Sequence, residues 1–279
     1  MKIIPISKEN HSDWSYVGLT HYMHTKNDAI VPILIAEIDR ITSTNPIVFI
    51  ENNEKLGLYS LQSLLPNMNL MIDNQGIWTQ NYIPARYRSL PFVLATDTNK
   101  KNTEEKVLCY VEDLNCVAKS VDKKSTKIFN SNEDLSEDMN RVFEFLKSIE
   151  QNELVTQKAL LSIKEADIIE DWSLSIKLSD GERTMKGLKK INIKKLKSLS
   201  GKILEKLNIT GGLDICFANI LSLNNIENLK QLLISRTQSI QKKKETNENK
   251  SLRDLTLEKQ SKEKKEEMDN LVKNLLLED

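Results

Sequence analysis

The stretch Asn45-Pro46-Ile47-Val48-Phe49-Ile50-Glu51-Asn52-Asn53-Glu54-Lys55-Leu56-Gly57-Leu58-Tyr59 decides the fold class. Pro46 to Ile50 is a short apolar run with β-branched side chains, the pattern of a buried strand. Glu51 to Glu54 is polar and turn-forming, and Lys55 to Tyr59 returns, so the segment reads as an antiparallel hairpin. The same signals recur outward. Asn69 to Ile72 and Gly76 to Trp78 read as a second pair turning through Asp73-Asn74-Gln75-Gly76. Further strands are expected at Pro91 to Ala95 and Val107 to Val111. Trp172 to Leu178 alternates apolar and polar residues, and Ser179-Asp180-Gly181-Glu182 turns it into a partner at Arg183 to Leu188.

Helices fill the gaps. Val31, Leu34, Ile35 and Ile38 recur at helical spacing, so Ala29 to Ile38 is expected as a short helix capped by Asp28, with Pro32 in its first turn. Leu135, Met139, Val142, Leu146 and Ile149 make one apolar seam, and a helix through Leu154 to Ile163 packs on it or continues it. Short elements follow at Lys194 to Leu199 and Gly201 to Leu207. A last helix starts near Leu213 and runs on through Ile226 to Leu233. The expectation is an α+β body over residues 1–236, mainly antiparallel hairpins with packed helices. Residues 237–279 read as a charged extension, helical or partly disordered. Residues 241–279 hold ten basic and ten acidic side chains and end in a stripe of Leu271, Val272, Leu275 and Leu276. That stripe suits a short docking or coiled-coil helix, a route to oligomers, or a frayed solvated one.

Charge and cysteines narrow the class. The 279 residues carry 40 basic and 40 acidic side chains, so no net charge advertises a polyanionic partner. Cys109, Cys116 and Cys216 form an odd set without a C-x-x-C pair, which argues against a disulfide framework or a zinc knuckle. The first residues lack the apolar core of a secretory signal, and the longest apolar stretch, Ile30 to Ala36, is too short to span a bilayer. The expected compartment is the cytoplasm, the alternative being the cell surface by a signal-peptide-independent route.

Three ordered blocks and a strand upstream of them carry a family resemblance. Gly76-Ile77-Trp78-Thr79-Gln80-Asn81-Tyr82-Ile83-Pro84-Ala85-Arg86-Tyr87-Arg88-Ser89-Leu90-Pro91-Phe92 resembles the G-x-W-x-x-x-Y-I-P-A-x-x-R-x-x-P-F segment of the SapC family. Upstream, Asn45-Pro46-Ile47-Val48-Phe49 is similar to its Y-P-I-V-F strand. Leu178-Ser179-Asp180-Gly181 and Lys186-Gly187-Leu188-Lys189-Lys190-Ile191-Asn192 resemble its L-A-D-G … L-x-G-L-Y-x-V-D hairpin, with Lys189 for the Tyr and Asn192 for the Asp. Phe217-Ala218-Asn219-Ile220-Leu221-Ser222-Leu223-Asn224-Asn225 is similar to its Y-A-H-L-L-S-L-x-N ending, with Asn219 where a His is usual. The resemblance covers roughly residues 14 to 234. It implies a bacterial protein linked to surface-layer or envelope-protein systems; together with the missing catalytic motifs and the uneven charge of the body, the expected role is a non-enzymatic interaction or accessory factor with protein partners.

The chemistry concentrates in Trp78 to Phe92. Trp78, Tyr82, Arg86, Tyr87 and Arg88 are the candidate binding residues, able to hold a planar or anionic ligand or a peptide by stacking and bidentate contacts. That reading carries the alternative function, an enzyme or enzyme accessory acting on a peptide or small metabolite. Against it, the aromatics fill the core and the arginines cover carboxylates. Glu37 reads either as a buried acid or, more commonly for such a residue, as a flank residue paired with a cation. His21 and His24 sit at helical spacing without the H-E-x-x-H pattern, and Cys216 falls on an apolar helical face. G-x-S-x-G, the Walker loop and G-x-G-x-x-G are all missing. No catalytic residue, metal or cofactor is assigned. Arg183 to Lys206 holds nine bases and one acid, and Asn130 to Asp171 eleven acids and four bases. The basic stripe lacks aromatic stacking residues, so nucleic acid is disfavoured as a partner.

Overall fold

The structure is a computed structural model and describes residues 2–96, 106–119, 125–178, 181–239 and 261–262. Strands β1 (Ile3–Pro5) and β2 (Ser15–Tyr16) flank one helical turn, α1 (Lys8–His11). Strand β3 (Ile30–Pro32) leads through a 3₁₀ turn at Ile35–Glu37 into α2 (Ile38–Ile41), then β4 (Ile47–Asn52) and β5 (Lys55–Leu61). A single turn, α3 (Ala85–Arg88), precedes β6 (Phe92–Thr96), β7 (Lys106–Val111), β8 (Val117–Ala118) and β9 (Thr126–Lys127). The long helix α4 (Glu137–Glu165) is followed by β10 (Ile169–Leu178) and β11 (Gly181–Ile191). Helices α5 (Ile193–Lys197), α6 (Gly201–Thr210) and α7 (Gly212–Ser222) come next.

The strands pair antiparallel into a five-stranded sheet, β10-β11-β4-β5-β3, and two three-stranded sheets, β1-β7-β6 and β8-β2-β9. The fold is α+β, as the hairpin at Pro46 to Tyr59 indicates. Its two-residue turn places Asn53 and Glu54 at φ 48° and 61°, the left-handed geometry that matches strand twist. The two helical runs between Leu135 and Ile163 are one helix, opened by Ser136 Oγ accepting the Met139 N–H at 3.2 Å.

Two expectations fail for local reasons. Ala29 to Ile38 is not a helix. Its β-branched Ile30 and Val31 pair with Leu61 and Ser60, and Pro32 stands opposite Tyr59 on the edge of the sheet, where a missing N–H is tolerated. The pair expected at Asn69 to Ile72 and Gly76 to Trp78 shrinks to one bridge, Ile72 with Trp78. Asp73 takes the donors instead: its Oδ1 accepts from the Gln75 and Ile77 amides, and its carbonyl from the Gly76 amide.

Two hydrophobic cores share α4. Ala159, Leu160 and Ile163 pack with Phe49, Leu58 and Ile215 in the larger core. Met139 and Leu146 of the same helix pack with Phe92, Leu108, Tyr110 and Ile128 in the smaller. Side chains of α7 stitch the large sheet where β11 and β4 share only the pairing of Lys189 with Phe49. Asn219 Oδ1 accepts the Ile191 N–H at 3.0 Å, and its Nδ2 donates to the Ile47 carbonyl at 2.8 Å. Ser222 Oγ accepts the Ile47 N–H at 2.9 Å.

The chain divides into two compact units, Met1–Lys230 and Gln231–Asp279. In the second, residues 231–239 and 261–262 are helical. The remainder of the expected extension over 237–279, with its Leu271 to Leu276 stripe, lies outside the described residues, as do Ser179 and Asp180 of the expected β10–β11 turn. Within the described residues no helix is long and apolar enough to cross a membrane.

Candidate functional site

The segment after the Asp73 turn runs over the large core with its aromatics inward. Trp78 Nε1 donates to the Tyr82 carbonyl at 2.8 Å, and its ring meets those of Tyr22 and Tyr87 edge-on at 5.8 and 5.7 Å. Tyr87 is buried and donates its O–H to Asp28 Oδ2 at 2.9 Å. Burial first, and then the Asp28 charge, push its phenol far above the ordinary range. Beside it, His24 presents a buried Nε2 with no hydrogen-bond partner among the described residues. Burial holds that imidazole below its usual pKa, opposed by Asp28 and assisted by His21.

Arg88 closes the segment from outside. Its Nε donates to the Ile83 carbonyl and its Nη2 to the Tyr82 hydroxyl, each at 2.9 Å. The guanidinium lies 5.1 Å from the Tyr82 and Phe145 ring centroids, tying the segment to α4. Arg88 therefore covers no carboxylate directly. It reaches one through Tyr82, whose O–H donates to Glu37 Oε1 at 3.0 Å.

Glu37 is buried at 3% exposure, without the expected cation. Its Oε1 also accepts the Ala85 N–H at 2.6 Å, and its Oε2 the Leu34 N–H at 2.9 Å. Among the described residues no Lys, Arg or His lies within ion-pair distance of it. The reading as a flank residue is corrected: the short 3₁₀ turn places Glu37 inward, where it meets three neutral donors and, among the described residues, no counter-ion.

Glu37 lines a cleft of about 270 Å³ between α4 and the β3–β5 edge. Ile33, Leu56, Leu58 and Leu160 make its floor, and Arg86, Lys55 and Glu153 stand around it. Arg86 and Lys55 have no ion-pair partner among the described residues. Tyr59 lies across the strand because position 57 is glycine, where a Cβ would meet the ring at 2.6 Å. A second hollow of about 420 Å³ shares Lys55, Leu56, Gln157 and Leu160 and continues past Lys158 and Leu161. Of the five candidate binding residues, Arg86 lines the cleft of about 270 Å³; Trp78, Tyr82, Tyr87 and Arg88 do not, and of these Tyr82 touches its wall through the hydrogen bond to Glu37. Lys55, Tyr59 and Glu153 went unnoticed in the sequence, since no local pattern links them to Arg86.

The sequence profile of the SapC family matches residues 6–229. The chain belongs to the SapC family. No curated protein and no solved structure matches it. The family blocks take structural parts here. Gly76 sits at φ 81° against the Met23 backbone, Phe92 is core, and Asn219 and Ser222 bind β4. Arg86 falls at an open position of the family pattern, and Arg88 at its arginine.

The remaining sequence candidates have ordinary surroundings. His21 is exposed, and among the described residues no group of three or more His, Cys, Asp or Glu is placed to hold a metal ion. Cys216 is buried, and burial pushes its thiol up to about 12, unsuited to nucleophilic work. Much of the basic stripe pairs with the acidic stretch: Lys189 with Asp171, Lys190 with Glu170, Lys195 with Asp167 and Lys206 with Glu165.

Proposed function

We propose that this SapC-family chain is a non-enzymatic accessory protein of a surface-layer or envelope-protein system, and that it acts by holding a small metabolite or peptide in the α4 cleft. The observation that carries the reading is the pair of cations, Arg86 and Lys55, without an ion-pair partner among the described residues and beside an apolar floor. Free cations next to desolvated carbon suit a ligand with an anionic group and an aliphatic part. The accessory role is supported by the family and by the absence of the nucleophile motifs sought in the sequence.

The second reading is an enzyme or enzyme accessory acting on the same ligand. Glu37, a fixed acid in the cleft wall, is the observation in its favour. Affinity capture from the native host separates these. The wild-type chain and an Arg86→Ala/Lys55→Ala variant are used as bait, and the proteins and small molecules retained are identified by mass spectrometry. A ligand held by the wild type and lost from the variant is expected. Equal retention by both would remove the cleft from consideration, and release of a chemically altered ligand would favour the enzyme.

A further inference from the structure

Resting on the ligand-cleft reading, we infer that the ligand is a zwitterion: a free apolar α-amino acid, or a short peptide with both ends unblocked. The argument starts from Glu37. A carboxylate offers about four acceptor positions. The Leu34 and Ala85 amides and the Tyr82 hydroxyl fill three, and Oε2 receives only one of these donors. One acceptor position on Oε2 is therefore unfilled, on a side chain that lines the cleft. Burying a carboxylate without a counter-charge is costly, and the donors around Glu37 offset that only in part. An ammonium group supplies both the missing donor and the missing charge. No side chain of the described residues does so.

The opposite need stands nearby. Arg86 and Lys55 line the same cleft and have no acidic partner among the described residues, so they call for a carboxylate. An anion alone leaves Glu37 uncompensated. A cation alone leaves Arg86 and Lys55 unanswered, with Glu153 already adding one more acid to the cleft. A single ligand carrying both charges on one small backbone meets all these groups at once. Its side chain then lies along Leu56, Leu58 and Leu160, where an aliphatic or aromatic group removes apolar surface from water. At about 270 Å³ the cleft is at the small end for ligand sites, suited to one or two residues. The second hollow, entered past Leu56 and Gln157, gives room for a peptide to run on.

Calorimetric titration of the full chain with L-leucine, L-methionine, L-phenylalanine and the dipeptide Leu-Leu tests this, beside N-acetyl-L-leucine and L-leucinamide. Saturable binding of at least one unblocked probe is expected, with each blocked form weaker by about tenfold or more, because each loses a charge-assisted contact. Arg86→Met combined with Lys55→Met, both at exposed positions, is expected to fold and to bind L-leucine and L-leucinamide alike, a loss of discrimination that misfolding does not produce. Glu37→Gln is expected to abolish the penalty for the N-acetyl group. Blocked probes binding as tightly as free ones would overturn the inference, and so would no binding of any unblocked probe at millimolar concentration. If cells yield a cleft ligand that depends on Arg86 but carries charge of one sign only, the zwitterion is wrong while the cleft reading stands.

Discussion

Replacing Glu37 with Ala takes the acceptor from two backbone amides and a phenol together. The buried Ala85 N–H and the half-buried Leu34 N–H would be left unpaired, so Glu37→Ala is expected to lower the unfolding free energy by about 2–3 kcal/mol in urea titration. Arg86→Ala is expected to change it by no more than about 0.5 kcal/mol, as at other exposed positions with no partner. His24 gives a pH signature. Its folded pKa is depressed by burial, so the neutral ring contributes stability above the unfolded value of about 6.5. That contribution is lost as pH falls through the lower folded value. The melting temperature of the wild type should therefore drop faster on acidification below about pH 6.5 than that of His24→Phe, measured by calorimetry at matched ionic strength. If the two profiles run parallel, the His24 ring titrates in the fold as it does in the unfolded chain. Sequence reading could single out Arg86 and weigh Glu37 as a buried acid. It could not see that Lys55, at the start of β5, and Glu153, from a helix more than fifty residues later, line the same cleft, because chain separation hides that juxtaposition.

At the level of elements, legibility follows the number of local signals that agree. The β4–β5 hairpin was readable because β-branched residues, a polar turn and register all point the same way. Ala29 to Ile38 misled because its helical spacing competes with β-branching, and the decision falls to a tertiary contact, the pairing of Ile30 to Pro32 along β5. The hairpin turn itself is imperfect. Glu54 sits at φ 61°, which costs an L-residue with a bulky side chain strain that glycine avoids. Glu54→Gly, giving Asn-Gly, is expected to stabilise the chain by about 0.5–1 kcal/mol. A loss of stability would mean the Glu54 side chain contributes more than its backbone strain costs. Thr156 is a contrasting case on α4. Its Oγ1 accepts the Ile35 N–H at 2.9 Å and donates to the Asn152 carbonyl at 2.6 Å, anchoring the 3₁₀ turn that carries Glu37. Thr156→Val preserves shape but orphans that amide, and a destabilisation of about 1–3 kcal/mol is expected by denaturant titration. Any ligand bound at Glu37 should weaken with it.

Across the whole of the Met1–Lys230 unit, α4 is the wall common to both cores, Met139 and Leu146 on one side of its length and Leu160 and Ile163 on the other. Neither core has a boundary to unfold against without losing part of that helix. Trp14 packs on the smaller core and Trp78 on the larger, so single-tryptophan variants report on each. Their urea transitions are expected to coincide, and separated midpoints would show two independent foldons. The stitching by Asn219 and Ser222 has a consequence for solvent isotope labelling. The amides of Ile191 and Ile47 belong to strands, yet their protons are held by α7 side chains instead of a neighbouring strand. Deuterium can replace those two protons only when α7 lifts away, whatever the state of the surrounding ladder. Their exchange rates thus form a matched pair of clocks for one hinge-like event, and Asn219→Ala should release the first while leaving the second under the guard of Ser222.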